Sequence, residues 1–401
     1  MKQRASTVSH GAGFWIVAVA FLIAMAYTTV PTPLYPLYQE RDGFPTSMIT
    51  VIFAVYAIGV ILSLYLVGHL SDTFGRRRML VIALLISALS AVLFLVWSDV
   101  PGLIVARLVN GVSIGIVTAT ATAYINELRA HARPEANSVF ATSVSSAANL
   151  GGLALGPLIG GIFAEYLPDP LVVPHAVFLI LLLVLTVALL FVPETVKLPE
   201  HRPPYRPQRI SIPAAARGQF LAAAAGVFSG FAVFGLFTAL DPTFLTTTFD
   251  VNNLLIAGLS SFAVFAAAAT GQVALASVKV RIQLAIAVIA CGTGLVLLAI
   301  GVLAPQIAVF VVGGAVAGLG VGLLFKGAIA TTVAVSEPER KGESLALIFL
   351  IAYAGLAIPV LLVGFFLTFA SATSVLLVFL AIVFIATVTA GTLMQRRTTE
   401  K

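Results

Sequence analysis

The chain has 401 residues, 60% of them hydrophobic and only 9% charged, with a mean hydropathy of +1.08. Soluble domains carry about 25% charged residues, so these values exclude an ordinary soluble enzyme or binding domain and point to an integral membrane protein. The formal net charge of +6 follows from topology, as shown below, and is not a nucleic-acid signal. The lone cysteine, Cys291, excludes an intrachain disulfide and suggests no thiol or Cys-metal chemistry.

Taken in order, the apolar runs have helix length and do not alternate, which disfavours a β-barrel. The first, Phe14–Leu34, is too long for a cleavable signal peptide and ends in Pro-Leu-Tyr without a small-residue cleavage site, so it is expected to stay as the first helix. Met48–Val67, Met79–Trp97, Leu103–Ile125, Asn137–Phe163 and Val172–Val192 follow. A polar stretch, Glu194 to Gln219, carries Lys197, Arg202, Arg206, Arg209 and Arg217 among several prolines. Then come Phe220–Leu240, Leu254–Ala276, Ile282–Leu303, Ile307–Val335, Ser344–Phe369 and Val375–Leu393. The pattern predicts an all-α membrane protein of twelve transmembrane helices in two six-helix pseudo-symmetric halves, residues 1–193 and 220–401, joined by a linker at 194–219.

Charge orients this array. With the N-terminus in the cytoplasm, 19 of the 22 Lys and Arg fall in cytoplasmic segments, from Lys2 and Arg4 through Arg76–Arg78 to Arg396, Arg397 and Lys401. Arg41 falls outside, and Arg107 and Lys326 fall within spans. Basic loops stay in the cytoplasm, so both termini are predicted there.

The turn between the second and third spans reads Gly68-His69-Leu70-Ser71-Asp72-Thr73-Phe74-Gly75-Arg76-Arg77-Arg78. Its spacing, G-x-L-x-D-x-x-G-R-R-R, resembles the loop 2–3 signature of the major facilitator superfamily of transporters. The resemblance implies a cytoplasmic gate built on Asp72, Gly75 and Arg76. Asp72 would face the start of the eleventh helix near Gly342 to Ser344, and Arg76 would reach Glu127 at the end of the fourth. Thr73 stands where a basic residue is usual, which weakens that latch. The alternative for Asp72 is a solubilising loop charge.

Arg107-Leu108-Val109-Asn110-Gly111 resembles the family's fourth-helix pattern R-x-x-Q-G, with Asn110 for glutamine. That implies a part in proton coupling for Arg107. The plainer reading is a structural arginine bonding backbone carbonyls or snorkelling outward. In the fifth span, Gly152, Gly156, Pro157, Gly160 and Gly161 follow G-x-x-x-G-P-x-x-G-G and resemble the antiporter motif of the twelve-helix drug-efflux branch. Small residues four apart let helices approach closely, and the proline bends the helix. Pro31-Thr32-Pro33-Leu34-Tyr35-Pro36 resembles the first-helix end of the same branch. Internal repetition is faint: Gly271 to Arg281 echoes the loop after the second span, and Gly355 to Pro359 echoes Gly152 to Pro157. Related halves place a substrate cavity between them near mid-membrane.

Lys326, about ten residues and so roughly 15 Å from its helix end, is a second charge inside a span. It would exchange a proton, meet an anionic substrate, or serve as a structural pair. All sixteen carboxylates lie in loops or at span ends, Asp241 and Glu165 among them. A cavity with Arg107 and Lys326 and no deep acid is expected to favour neutral or anionic compounds over cations. Arg107, Lys326 and Asp241 are the candidates for proton coupling. Tyr27, Tyr35, Tyr56, Asn110, Asn149, Gln272 and Tyr353 are candidates for the cavity wall, and each is equally a candidate for packing. His10, His69, His131, His175 and His201 are scattered in loops, and no metal constellation, nucleotide loop or cofactor site is read.

The reading is a secondary active transporter, not an enzyme, exporting a small molecule by proton antiport with alternating access. Its expected partners are substrate, protons and the lipid bilayer, without nucleic acid; it is expected to be a monomer in the bacterial plasma membrane. An importer or uniporter of a neutral or anionic metabolite stays open, as does a non-transporting sensor on the same fold.

Overall fold

The computed structural model describes residues 8–135, 137–197, 205–212, 216–337 and 340–397; Lys2, Arg4, His201, Arg202 and Lys401 lie outside them. Among the described residues the regular structure is helical: α1 (His10–Thr29), α2 (Tyr35–Asp42), α3 (Thr46–Val67), α4 (Ser71–Phe74), α5 (Arg76–Val96), α6 (Val100–Ala132), α7 (Ser138–Tyr166), α8 (Val173–Leu189), α9 (Arg217–Ala239), α10 (Asp241–Phe249), α11 (Leu254–Ala274), α12 (Val280–Leu303), α13 (Ile307–Val335), α14 (Lys341–Phe366) and α15 (Ala372–Arg397).

Local chemistry sets several boundaries. The side chains of Ser9, Asp99, Asn137 and Asn253 each accept a backbone N–H of the first turn of α1, α6, α7 and α11, satisfying donors the helix leaves free. The expected continuous first span is broken after Thr29. Pro31, Pro33 and Pro36 cannot donate and crowd the preceding turn, so a 3-10 turn at Thr32–Leu34 intervenes before α2. Gly75, at φ 98°, opens α5 in a conformation that a side chain strains.

Among the described residues eleven helical segments are long and apolar enough to cross a membrane, the first running His10–Asp42. The sixth expected span is α8, apolar but only 17 residues long, about 26 Å at the helical rise against a hydrocarbon core of ~30 Å. The surface carries large apolar side chains such as Ile289, Leu303, Ile385 and Phe369, each more than half exposed. In water such a surface aggregates; in hydrocarbon it is an ordinary one.

The same pairing scheme occurs twice. In the first part α1 packs on α7, α3 and α5 pack on α6, and α5 packs on α8. In the second, α9 packs on α14, α11 and α12 pack on α13, and α12 packs on α15. Two seams join the parts, α7 with α11 and α3 with α14. The glycines of α7 make the close approaches possible. A Cβ at Gly156 would overlap the Ala26 carbonyl oxygen and the Thr29 hydroxyl of α1, and one at Gly258 of α11 would overlap the Pro157 carbonyl oxygen. So Gly152, Gly156 and Gly160 face α1, while Pro157 and Gly161 face α11 across the seam.

At the end of the bundle that bears Arg76–Arg78, residues 205–212 run between the two parts. The Gln208 amide donates to the Tyr65 carbonyl at 2.8 Å, and the Tyr205 hydroxyl to the Leu66 carbonyl at 3.0 Å. On the other side, the Ser344 hydroxyl of α14 donates to the Ser211 carbonyl at 3.1 Å. This strap uses carbonyls that the last turn of α3 leaves free.

Candidate functional site

A cavity lies between the two parts, and its two walls differ in kind. The first part supplies Thr28, Thr29, Phe53, Tyr56, Arg107, Thr118, Asn149, Leu150 and Leu153; the second supplies Phe231, Phe234, Thr238, Phe265, Phe325, Phe349, Tyr353 and Leu356. One wall is largely polar, the other largely aromatic, and no carboxylate lines either. In this state the open space is about 50 Å³, room for roughly three or four waters.

Arg107 is the charge in the wall. It is 1% exposed, its Nη1 donates to the Thr28 carbonyl at 2.7 Å, and its Nε makes no hydrogen bond of ordinary geometry. The guanidinium lies 4.5 Å from the Tyr56 ring centroid and 5.8 Å from that of Phe53, a cation–π arrangement that holds a cation away from water. From Tyr56 the rings run on across the cavity: Tyr56 to Tyr353 at 6.4 Å, Tyr353 to Phe231 at 6.3 Å, Phe231 to Phe325 at 5.0 Å, and Phe234 to Phe265 at 4.6 Å. The Thr118 hydroxyl, also in the wall, makes no hydrogen bond of ordinary geometry.

Of the expected cavity residues, Tyr56, Asn149 and Tyr353 line it. Four do not, for identifiable reasons. Tyr27 turns to His175, its hydroxyl 3.2 Å from Nδ1. Tyr35 opens α2 at 1% exposure, its hydroxyl beside the Arg107 guanidinium. The Asn110 side-chain oxygen accepts from the Thr28 hydroxyl at 2.5 Å, within the helix packing. Gln272 donates to the Gly322 carbonyl at 2.9 Å, joining α11 to α13.

Lys326 is likewise drawn into packing. Its Nζ donates to the Gln272 carbonyl at 3.0 Å, and it does not line the cavity. In this state Arg107 alone of the two expected cations lines the cavity. Asp241 departs from expectation in the other direction. It is not at a solvated end but 1% exposed, opening α10 and accepting from the Ser260 and Ser261 hydroxyls at 3.1 and 3.2 Å. Among the described residues it makes no ion pair.

His175 is a further correction, since it is no loop histidine. It sits in the first turn of α8 with no exposure, between the Tyr27 hydroxyl and the Tyr38 hydroxyl, the latter 3.0 Å from Nε2, and it stacks on Phe94 at 4.4 Å. Both ring nitrogens are thus engaged, which fixes the α1, α2, α5 and α8 ends together.

At the arginine end, Arg76 and Glu127 meet at 2.9 Å, and Glu127 also accepts from the Thr195 hydroxyl at 2.5 Å. Asp72 is not on α14. It pairs with Arg76 at 2.6 Å, and its side chain is 63% exposed. Glu194, read as the start of the linker, accepts from the Arg76 and Arg77 amides at 2.9 and 3.2 Å and so caps α5 with a negative charge. A link between the two parts is made at the opposite end instead. There the Glu165 carboxylate of α7 accepts from the Leu254 amide and the Asn253 side chain of α11, both at 2.9 Å. It is the acid-on-helix-N-terminus contact expected of Asp72, made by another residue at the other end.

Comparison with known proteins fits this architecture. The Arabinose-proton symporter of Bacillus subtilis is 32% identical over 126 residues, which is 30% of this chain and 27% of that protein. Multidrug resistance protein 1 of Bacillus subtilis is 28% identical over 151 residues, 37% of this chain and 38% of that protein. Quinolone resistance protein NorA of Staphylococcus aureus is 26% identical over 145 residues, 36% of each chain. These matches span about a third of the relatives' length. Two solved structures share the fold. They are the human organic anion transporter MFSD10 (TETRAN), with TM-score 0.69, 18% identity, and 97% of this chain and 100% of that one covered, and a point mutant of the nucleoside transporter NupG, with TM-score 0.70, 12% identity, and 96% and 99% covered. The Major Facilitator Superfamily profile matches residues 16–301; with a cavity between twice-repeated helix sets and the arginine loop between α3 and α5, the chain belongs to that superfamily of transporters.

Proposed function

We propose that this transporter exports a small neutral or anionic molecule by proton antiport, with two six-helix halves, 1–193 and 220–401, rocking about the cavity. The observation that carries the reading is Arg107, buried in the wall of a cavity that no carboxylate lines. An arginine inside a span costs roughly 2.5–3.5 kcal/mol on insertion scales, so its retention fits a role in binding or coupling. Aromatic walls also attract cations, by ~0.5–2 kcal/mol for each ring engaged. Here the Tyr56 and Phe53 faces already hold the Arg107 guanidinium, which repels a second cation.

In this reading the arginine end is cytoplasmic, by the distribution of basic residues, and the protein is a monomer in a bacterial plasma membrane. Asp72, Gly75, Arg76 and Glu127 form the cytoplasmic gate, whose link from Asp72 to α14 is open in this state. Glu165 holds the outer end shut. Glu165→Ala removes two hydrogen bonds to a carboxylate at an exposed helix start, worth about 1 kcal/mol. It is expected to raise the outward-open population several-fold. The readout is the rate at which a membrane-impermeant maleimide applied from outside labels a Thr238→Cys reporter in the cavity wall. Native Cys291 is fully buried and gives a quiet background. An unchanged rate would remove Glu165 from the gate.

Asp241, Arg107 and Lys326 are the coupling candidates, Lys326 with its amine on the Gln272 carbonyl in this state. A carboxyl buried without a cation favours its neutral form and pays heavily for its charged one. The test is flux in proteoliposomes with an imposed pH gradient. Asp241→Asn is expected to cut gradient-driven flux by roughly tenfold or more and to leave substrate exchange without a gradient intact. Loss of both, or of neither, would take Asp241 out of the coupling. A symport reading draws on the resemblance to the Arabinose-proton symporter. Substrate moving in the same direction as protons in this assay would establish it over export.

A further inference from the structure

We infer that the ligand of this cavity is a flat aromatic anion, its ring lying on the phenylalanine wall of the second half and its acidic group at Arg107. The inference rests on the transporter reading and deepens it to a substrate class. Three features of the cavity lead there.

The two walls ask for different things. Phe231, Phe234, Phe265, Phe325, Phe349 and Tyr353 present a nearly continuous aromatic surface with ring spacings of 4.6 to 6.3 Å between successive neighbours. Offset and edge-on packing at such spacings suits another ring. A flexible aliphatic chain would fill the same area but gain no ring–ring geometry.

Facing this surface, the polar wall holds donors without a well-formed bond. Arg107 is 1% exposed and Thr118 is 8% exposed, and both line the cavity. The Arg107 Nε and the Thr118 hydroxyl make no hydrogen bond of ordinary geometry in this state; the protein groups beside them are the Tyr35 hydroxyl at Arg107 and the Tyr353 hydroxyl at Thr118. Buried polar groups in proteins are nearly always well bonded, so two donors left without a well-formed bond at one cavity wall mark a place where a ligand acceptor completes the set. A guanidinium pairs with a carboxylate or similar planar oxyanion through parallel N–H donors.

Finally, no lining residue carries a negative charge, so a cationic ligand would find no counter-ion and would meet Arg107. The ligand is not accommodated in the present state, whose open space is about 50 Å³. It enters as the halves part, and the two walls travel with their own halves, so closure brings the ring surface and the arginine onto opposite ends of one molecule. A substrate with only one of the two features would engage only one half.

The test uses the full chain in lipid nanodiscs and tritiated 2-naphthoate, with binding read by scintillation proximity. Competitors are unlabelled 2-naphthoate, its methyl ester and 2-naphthylmethyl-trimethylammonium. The acid is expected to compete at least about tenfold better than the ester or the ammonium compound. Arg107→Gln is expected to erase the preference of acid over ester, Arg107→Lys to keep part of it, and Phe231→Leu to weaken acid and ester alike. Because Arg107 also bonds the Thr28 carbonyl, Thr118→Val serves as the variant that spares that bond, and it is expected to lower acid affinity several-fold. Equal competition by the ester, stronger competition by the ammonium compound, or no saturable binding to the folded wild type would each overturn the inference. Saturable acid binding without gradient-driven flux would leave the ligand class standing and remove antiport.

Discussion

Gly156→Val is expected to abolish transport and to lower the thermal midpoint of the purified protein more than any conservative change on the lipid-facing surface. The cause is steric. A Cβ at this position would overlap the Ala26 carbonyl oxygen and the Thr29 hydroxyl. The first is backbone and cannot rotate away. The second already donates to the Ala26 and Leu153 carbonyls at 3.2 and 3.1 Å, tying α1 to α7. Overpacking of this kind costs about 1–3 kcal/mol, sometimes more, and relief requires α1 to move off α7. Since Thr28 and Thr29 line the cavity and the Thr28 carbonyl holds Arg107, that movement also dislocates the arginine. Gly151, whose added Cβ would meet nothing within 4 Å, is the matched control: Gly151→Val should be near wild type in both melting and flux. If the two variants behave alike, the close approach of α1 and α7 is not what the glycine provides.

The second large effect separates two residues that the motif treats as equals. Arg76→Ala is expected to destabilise the protein by about 1.5–3 kcal/mol, the range for hydrogen bonds to charged groups. Asp72→Ala should cost no more than about 1 kcal/mol, as exposed pairs do. The Arg76 side chain is 11% exposed and reaches Glu127, Asp72 and the Ser71 hydroxyl, the last at 2.6 Å. Asp72 is 63% exposed and reaches only Arg76 among these. In transport the order should reverse if Asp72 is needed on α14 in the outward-open state. Its variant would then fold normally and fail to cycle. Paired melting curves and flux assays on both variants decide this, and an Asp72→Ala protein that is stable and fully active would end the gating proposal for Asp72.

Much of this architecture was legible in the sequence because a bilayer imposes simple demands. Long apolar runs, basic turns on one side and glycines spaced four apart in α7 each have one cheap structural solution. The pairing of Arg76 with Glu127 was legible only through the family resemblance, which implies an acid at the inner end of the fourth helix, where Glu127 stands. What stayed hidden was facing. His175 falls at the start of an apolar run and reads as a loop residue; its partners Tyr27, Tyr38 and Phe94 come from three other helices. Asp241 read as a span-end acid because the apolar run ends at Leu240. The chain instead turns directly into α10, with Pro242 in its first turn, and keeps the acid inside. Lys326 looked like a cavity charge, but its long stem carries the amine to the Gln272 carbonyl. Glu165 read as an ordinary terminal acid because its partners, Asn253 and Leu254, lie 88 and 89 residues away.

The strap at residues 205–212 gives the chain an internal clock. Its Gln208 amide is bonded to α3, while the Ser211 carbonyl is held from α14, so one short segment is pinned to both of the parts proposed to rock. Rocking that separates α3 from α14 at this end would break one of these bonds, and where the strap leaves α3 the freed Gln208 amide exchanges its hydrogen with water. Deuterium uptake at Gln208 would then report those openings of the arginine end in which the strap parts from α3, in the unlabelled, wild-type protein, and saturating ligand that holds the halves in one state should slow or speed that single amide without touching those of the helix interiors.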